Sequence, residues 1–305
     1  MGWTKPSEAD VARYFERLNN WGRWGQDDQK GTLNLVTADK RAAAVALART
    51  GRTVSLARDL TAQPALDHHM LLPLEWGKNS VALDYFGLIF HGVTITHVDA
   101  LCHVDYDGKV YNGVPFKDSI KHGGAKWGAI DPTFDGIVTR GVLIDVASLR
   151  PEGYVTAGNP VTPPDLDAAA ERARVRVEPG DVVVVRSGRE TYEQKAGNVW
   201  APPAGVPAPG TRPGLHISCL EWLREKDVAA IAWDMMDERP VGYGDLHFGV
   251  HLGIPILGLT LIDNTYPERL VAACREENRS EFLFTALPLR LAGATGSPVN
   301  PVAIF

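Results

Sequence analysis

Residues 96–103, Thr-His-Val-Asp-Ala-Leu-Cys-His, put three side chains able to bind a metal or carry a proton, His97, Asp99 and His103, within eight positions. They lie inside the longer run FHGVTITHVDALCHVDYDGKVYNG, residues 90–113. Read as one strand over 89–99, the segment turns His91, Val93, Ile95, His97 and Asp99 to a single face, because side chains alternate along an extended chain. His97 and Asp99 are then same-face neighbours roughly 6 to 7 Å apart at Cα, near enough for an imidazole nitrogen and a carboxylate oxygen to meet on one cation. A turn through Ala100, Leu101 and Cys102 returns His103 to the same place, while Cys102 itself points to the core. His-x-Asp is also an ordinary hydrogen-bonded pair at a sheet edge. The pattern alone therefore leaves three readings open: a metal site, a metal-free proton-transfer site and a structural pair.

The run is embedded in alternating helix and strand signals. Ser7 caps an amphipathic helix with Val11, Tyr14, Phe15 and Leu18 at helical spacing, and Thr37 and Gly51 bracket a second helix. Between them residues 20–34, NWGRWGQDDQKGTLN, follow neither periodicity and read as a loop. Strand signals follow at 52–58, 87–97, 136–146, 181–186 and 228–233, with helices at 165–173, 218–226 and 267–277. This order predicts a mixed α/β chain, with a helical extension over 1–50 and a catalytic domain over 51–305. The Pro- and Gly-rich residues 200–214 read as a surface loop or lid within that domain, and His68 and His69 as part of a polar loop.

Composition narrows the function classes. The chain has 305 residues, 45% of them hydrophobic, and a formal net charge of -6 from 37 acids against 31 Lys and Arg. No basic face for nucleic acid is visible. No run approaches the ~20 apolar residues that span a bilayer, and no apolar signal core opens the sequence. Three widely spaced cysteines suit reduced thiols better than a disulfide framework. These features lead us to expect a cytoplasmic protein with neither nucleic acid nor membrane as partner.

The run THVDALCH followed by DGKVYNG resembles the cyclase family of metal-dependent hydrolases, which includes bacterial kynurenine formamidase, isatin hydrolase and trans-dienelactone hydrolase. Residues 20–34, GIVTRGVLIDVA (136–147), PGDVVVVRSG (179–188), PGLHISCLEWL (213–223) and PLRLAGATGSPVNPVAIF (288–305) are similar to the same family, in its order. The resemblance implies an α/β chain of the swivelling β/β/α type, a flattened barrel-like β core with flanking helices, assembled as a homodimer or homotetramer. It implies hydrolysis of an amide, formamide or lactone bond in a small aromatic or carboxylated molecule, with Mn or Zn as the divalent metal.

The family motif His-x-x-x-His-x-Asp-x-x-x-His makes His97 and Asp99 metal ligands and His103 the proton carrier. Val93 stands where the motif has its first His, and Ile95 is apolar as well. The family also supplies a His and, eleven or twelve residues later, a Glu. Counted from His247, here a second catalytic residue, the Glu position is Gly258. A cation would then have to recruit His91, His247, His251, Asp234 or additional water. Trp21 and Trp24 are expected to wall the substrate pocket, with Tyr111, Asn112 and Asp234 as further substrate contacts. Asp234 ends a buried strand, where ligand-facing polar groups gather in α/β sheets, although it serves equally well as a cap. Two alternatives to the hydrolase stay open: a metal-independent cyclase, dehydratase or isomerase using Asp99 and His103, and a non-catalytic binding protein.

Overall fold

The computed structural model describes residues 3–60, 66–201 and 210–305. Its strands are β1 (Thr53–Ser55), β2 (Leu66–Trp76), β3 (Asn79–Leu88), β4 (His97–Asp99), β5 (Ile120–Lys121), β6 (Gly124–Ala125), β7 (Ile137–Asp145), β8 (Val182–Arg186), β9 (Ala230–Trp233), β10 (Thr260–Asp263), β11 (Glu281–Ala286), β12 (Gly296–Pro298) and β13 (Val302–Ile304). Nine of these form one sheet in the order β1-β13-β11-β7-β8-β9-β10-β4-β12, which curls into a half-barrel with helices around it. The four central strands, β7 to β10, run parallel, and every other pairing is antiparallel. Parallel strands covered on both faces need apolar side chains on both, and the Val-Val-Val-Val run of β8 provides them. Val183 and Val185 enter one core with Ile144, Ile231 and Trp233, while Val182 and Val184 enter another with Val98, Ile262 and Phe284.

The predicted first helix is broken at Arg13 into Glu8–Ala12 and Tyr14–Leu18, the first closed by a capping box between Ser7 and Asp10. Val11, Tyr14 and Leu18 join the first of the two cores, so the helical extension packs against the sheet's own layer. The helices expected at 165–173, 218–226 and 267–277 form as Pro163–Ala173, Cys219–Glu225 and Glu268–Glu276.

Two expectations are corrected. The strand expected over 87–97 is interrupted: β3 ends at Leu88, and irregular backbone with Gly92 at φ 148° precedes β4. Side-chain donors from Asn264 and Arg189 hold the carbonyls of Gly92, Val93 and Ile95 that a ladder would otherwise use. Second, β2 and β3 form a long two-stranded arm turning at Gly77, so His68 and His69 lie on a strand rather than in a loop, with His68 Nε2 2.8 Å from Asp84. Pro73 inside β2 interrupts the strand signal. Within the lid expected at 200–214, residues 202–209 lie outside the described residues. Among the described residues, no helix is long and apolar enough to cross a membrane.

The short strand β4 fixes the location of the site. It runs antiparallel between β10 and β12, with His97 opposite Asp263 on one side and Asp99 opposite Gly296 on the other. Because β10 is parallel to β9, this puts His97 and Asp99 beside the carboxyl ends of two parallel strands, the usual position of ligand crevices in such sheets.

Candidate metal centre

Asp99 is the hub of the site. Its Oδ1 lies 3.0 Å from His91 Nδ1, 3.4 Å from His97 Nε2 and 3.8 Å from His103 Nε2, and its Oδ2 lies 4.0 Å from His251 Nε2. Both oxygens are buried and neither forms a well-directed hydrogen bond with any described residue. A carboxylate out of water without hydrogen bonds is costly, so the surrounding nitrogens fit a shared cation better than a purely structural role.

For three of these rings the other nitrogen explains why they face inward. His91 Nε2 hydrogen-bonds Thr295 Oγ1 at 2.9 Å, His97 Nδ1 donates to the Ile95 carbonyl at 2.8 Å, and His251 Nδ1 donates to Asp237 at 2.7 Å. Outer partners of this kind set ring orientation in metal sites. Gly296 makes room for the arrangement, since a Cβ there would stand 2.8 Å from the His91 ring. Asp263 completes the cluster, with Oδ2 3.0 Å from His251 Nε2 and 3.9 Å from His97 Nε2, and with Oδ1 accepting from the Trp233 indole. Two groups of ligand atoms result, each within 4.8 Å of one another: His91, His97 and Asp99, and Asp99, His251 and Asp263. Imidazole plus carboxylate suits Zn²⁺ or Mn²⁺, and the residues fit such an ion.

The electrostatics agree. Burial alone pushes the Asp99 carboxyl up, but His103, His91 and His97 hold it well below the usual carboxylate range. Burial lowers the His97 and His251 imidazoles, yet Asp99 raises the first and Asp237 with Asp263 raises the second above the ordinary value. His103 goes the other way. Burial and the neighbouring imidazoles outweigh Asp99 and leave it less basic than usual. It stacks on His91 at 3.7 Å and lines a cavity of about 520 Å³ with Tyr106, Phe116, His247 and Phe248.

The structure thus brings His97, Asp99 and His103 together and fills the apparent gaps from other positions. The nitrogen missing at Val93 comes from His91, which reaches inward because the chain is looped there. His251 occupies the place assigned to His247, and Asp263, twelve residues further on, occupies the place assigned to Gly258. Gly258 has no room for a side chain. At φ 67°, a Cβ would lie 2.7 Å from the Tyr111 ring and 2.8 Å from Gly31 Cα. Gly258→Glu is therefore expected to add no ligand and to cost about 3 kcal/mol or more of stability, measurable by urea unfolding; wild-type stability would contradict this packing.

The remaining predicted residues lie elsewhere. His247 sits on the rim of the cavity, its Nε2 3.0 Å from Arg239 Nη1. The Asp234 carboxylate accepts from the backbone amides of Ser187, Gly188 and Arg189, which leaves it acting as a cap. Tyr111 is fully buried and donates to Asp28, while Asn112 bonds Gly22, Gly25 and Asp28, tying down the loop at 20–34. The Trp21 indole donates to the Pro255 carbonyl and packs on Phe15, and Trp24 lies under the Arg23 guanidinium. These four anchor the loop and are not brought to the cluster. Asp237, Asp263 and Thr295 were not anticipated. The first two end or follow buried strands, and spacing from His251 instead of His247 would have found Asp263.

The chain belongs to the Cyclase family, whose model matches residues 40–238. Among solved structures, that of a novel cyclase superposes with a TM-score of 0.81 at 28% identity, covering 95% of this chain and 99% of that one. Isatin hydrolase A from Ralstonia solanacearum superposes at 0.56 with 19% identity, covering 86% of this chain and 95% of that one. An isatin hydrolase bound to the product analogue thioisatinate gives 0.56 with 18% identity over 88% and 99% of the two chains. The two isatin hydrolases share the fold. No curated protein sequence matches the chain.

Proposed function

We propose that this chain is a metal-dependent hydrolase of an amide, formamide or lactone bond in a small, aromatic or carboxylated molecule. The observation that carries the reading is Asp99, buried without a well-directed hydrogen bond to either oxygen and ringed by four imidazoles, three of which have their outer nitrogens already engaged. His91, His97 and Asp99, with His251 and Asp263, are the residues to hold Zn²⁺ or Mn²⁺. Such an ion, when bound, lowers the pKa of a coordinated water and polarises a carbonyl. His103, its basicity reduced by burial, is a neutral imidazole near pH 7 and so is ready to take a proton from the attacking water and pass it to the leaving group. Tyr106, Phe116 and Phe248 give the adjoining cavity aromatic walls, which supports a ring-bearing substrate. Membership of the Cyclase family and the fold shared with isatin hydrolases also favour this reading.

Protein purified without chelator is expected to hold a stoichiometric divalent metal by elemental analysis, and His97→Ala to lose at least nine-tenths of it, on the order of the 10- to 100-fold affinity losses seen for lesser changes around metals. Equal metal content in the two proteins would remove the site. Turnover that survives complete chelation would favour the metal-independent use of Asp99 and His103.

We further propose a cytoplasmic homo-oligomer. The arm of β2 and β3 exposes Met70, Trp76, Leu83 and Phe86, with Trp76 72% accessible, and a lone two-stranded ribbon is marginal without something packed on it. Light scattering is expected to give a dimer or tetramer and Trp76→Glu a smaller species; a wild-type monomer would exclude it.

A further inference from the structure

We propose that Arg189 and Asn264 are positioning residues for the metal centre, a buried strut that fixes the loop between His91 and His97 and thereby sets both ligands. The proposal rests on the metal-centre reading above. The loop at 91–95 has no ladder partner, so its shape depends on whatever takes its carbonyl groups. Asn264 Nδ2 donates to Gly92 O at 2.9 Å and to Ile95 O at 3.0 Å, and Arg189 Nη2 donates to Val93 O at 2.8 Å. Ile95 O is also the acceptor that orients His97 through Nδ1. One carbonyl therefore joins the strut directly to a ligand ring.

The strut is itself over-determined. Arg189 Nη1 donates to Asn264 Oδ1 at 2.9 Å, which turns the amide so that its NH₂ faces the loop. The same guanidinium bonds Glu193 through Nε at 2.7 Å, and the Trp200 ring covers it at 4.4 Å. Arg189 is 2% accessible and Asn264 fully buried. Taking a guanidinium out of water is expensive, and a planar fork with five donors serves several fixed acceptors as an ammonium cannot. Asn264 follows Asp263 directly and sits at φ 54°, a backbone conformation that asparagine tolerates better than most residues. The strand that delivers Asp263 thus continues at once into the residue that braces the opposite ligand loop.

Arg189→Lys keeps the charge and removes the fork; Asn264→Gly keeps the backbone conformation and removes the amide. Cobalt(II) affinity by chelator competition and the cobalt absorption spectrum are measured well below both unfolding temperatures, alongside hydrogen exchange of residues 90–97 in metal-free protein. Each variant is expected to bind cobalt about 10- to 100-fold more weakly, with an altered spectrum and faster exchange at 90–97 while β8 exchanges as before. Wild-type affinity and spectrum in both variants, or unchanged exchange at 90–97, would overturn the proposal. Wild-type protein that takes up no divalent ion would sink the metal-centre reading alone, and the exchange data would still judge the strut.

Discussion

Asp99→Asn is expected to lower turnover of a substrate of the proposed amide or lactone class about a thousandfold, with KM changed far less. The substitution keeps the shape and removes the charge at the point where four imidazoles converge. An ion held there would contribute several kcal/mol to the transition state, and about 4 kcal/mol corresponds to three orders of magnitude. The variant should also hold little metal after dialysis. Its fold should persist, because the β4 pairings to β10 and β12 are made by the backbone. Steady-state kinetics with elemental analysis of the same sample tests this. A variant that keeps both metal and rate would show that the carboxylate is a bystander.

The second large effect concerns pH and metal together. The Asp99 and Asp237 carboxyls are held low, Asp99 by its imidazoles against burial and Asp237 by His251 against burial. Their stabilisation is complete above about pH 4, the ordinary carboxyl value, and is lost as pH falls through the depressed folded values. His97 and His251 are held high, so their contribution is complete below about pH 6.5 and is lost as pH rises through the raised values. His103, pushed down by burial, acts in the opposite sense and favours the folded state as pH rises toward 6.5. Metal-free protein is therefore expected to be most stable between about pH 4.5 and 6.5 and to weaken on the alkaline side. Added Zn²⁺ or Mn²⁺ should do the reverse, because ligand nitrogens must shed protons to bind it. At a hundredfold excess over Kd the gain is about 2.7 kcal/mol, or roughly 4 °C in Tm for a chain of this size. Thermal unfolding with and without metal from pH 5 to 9 should show the gap widening with pH. A constant gap would mean that no protonated imidazole competes for the ion.

How much of this could be read in advance depended on the reach of each signal. The β8 valines and the helix starts at Ser7 and Thr37 are local and formed as read, whereas the first helix breaks at Arg13 and the second stops at Val45, short of Gly51. His97 and Asp99 are also local: two residues apart on an extended segment, they share a face whatever surrounds them. Val93 misled because the motif's spacing put the first nitrogen four residues before His97; the strand reading already turns His91 to the same face, and the irregular backbone around Gly92 swings it inward. No local pattern marks that bend. It is imposed by Asn264 and Arg189, far along the chain. His247 was chosen over His251 by counting alone, and four residues separate a rim position from one between two buried carboxylates. Trp21 and Trp24 read as pocket walls and Tyr111 as a substrate contact on chemistry that equally suits anchors; Trp21 and Tyr111 are hydrogen-bonded to Pro255 and Asp28, and Trp24 lies under Arg23.

The placement of β4 has a further consequence for how the protein comes to exist in a cell. Three residues of strand are held between partners that lie more than 160 positions later in the sequence, so the ligand cluster is among the last things the chain can assemble during synthesis. Until Asp263 has left the ribosome, β4 has no β10 backbone to pair with, and a growing polypeptide offers an ion His91, His97 and Asp99 on an unbraced segment, without His251 and Asp263. Coordination by the full ligand set would then wait until the strand order has closed.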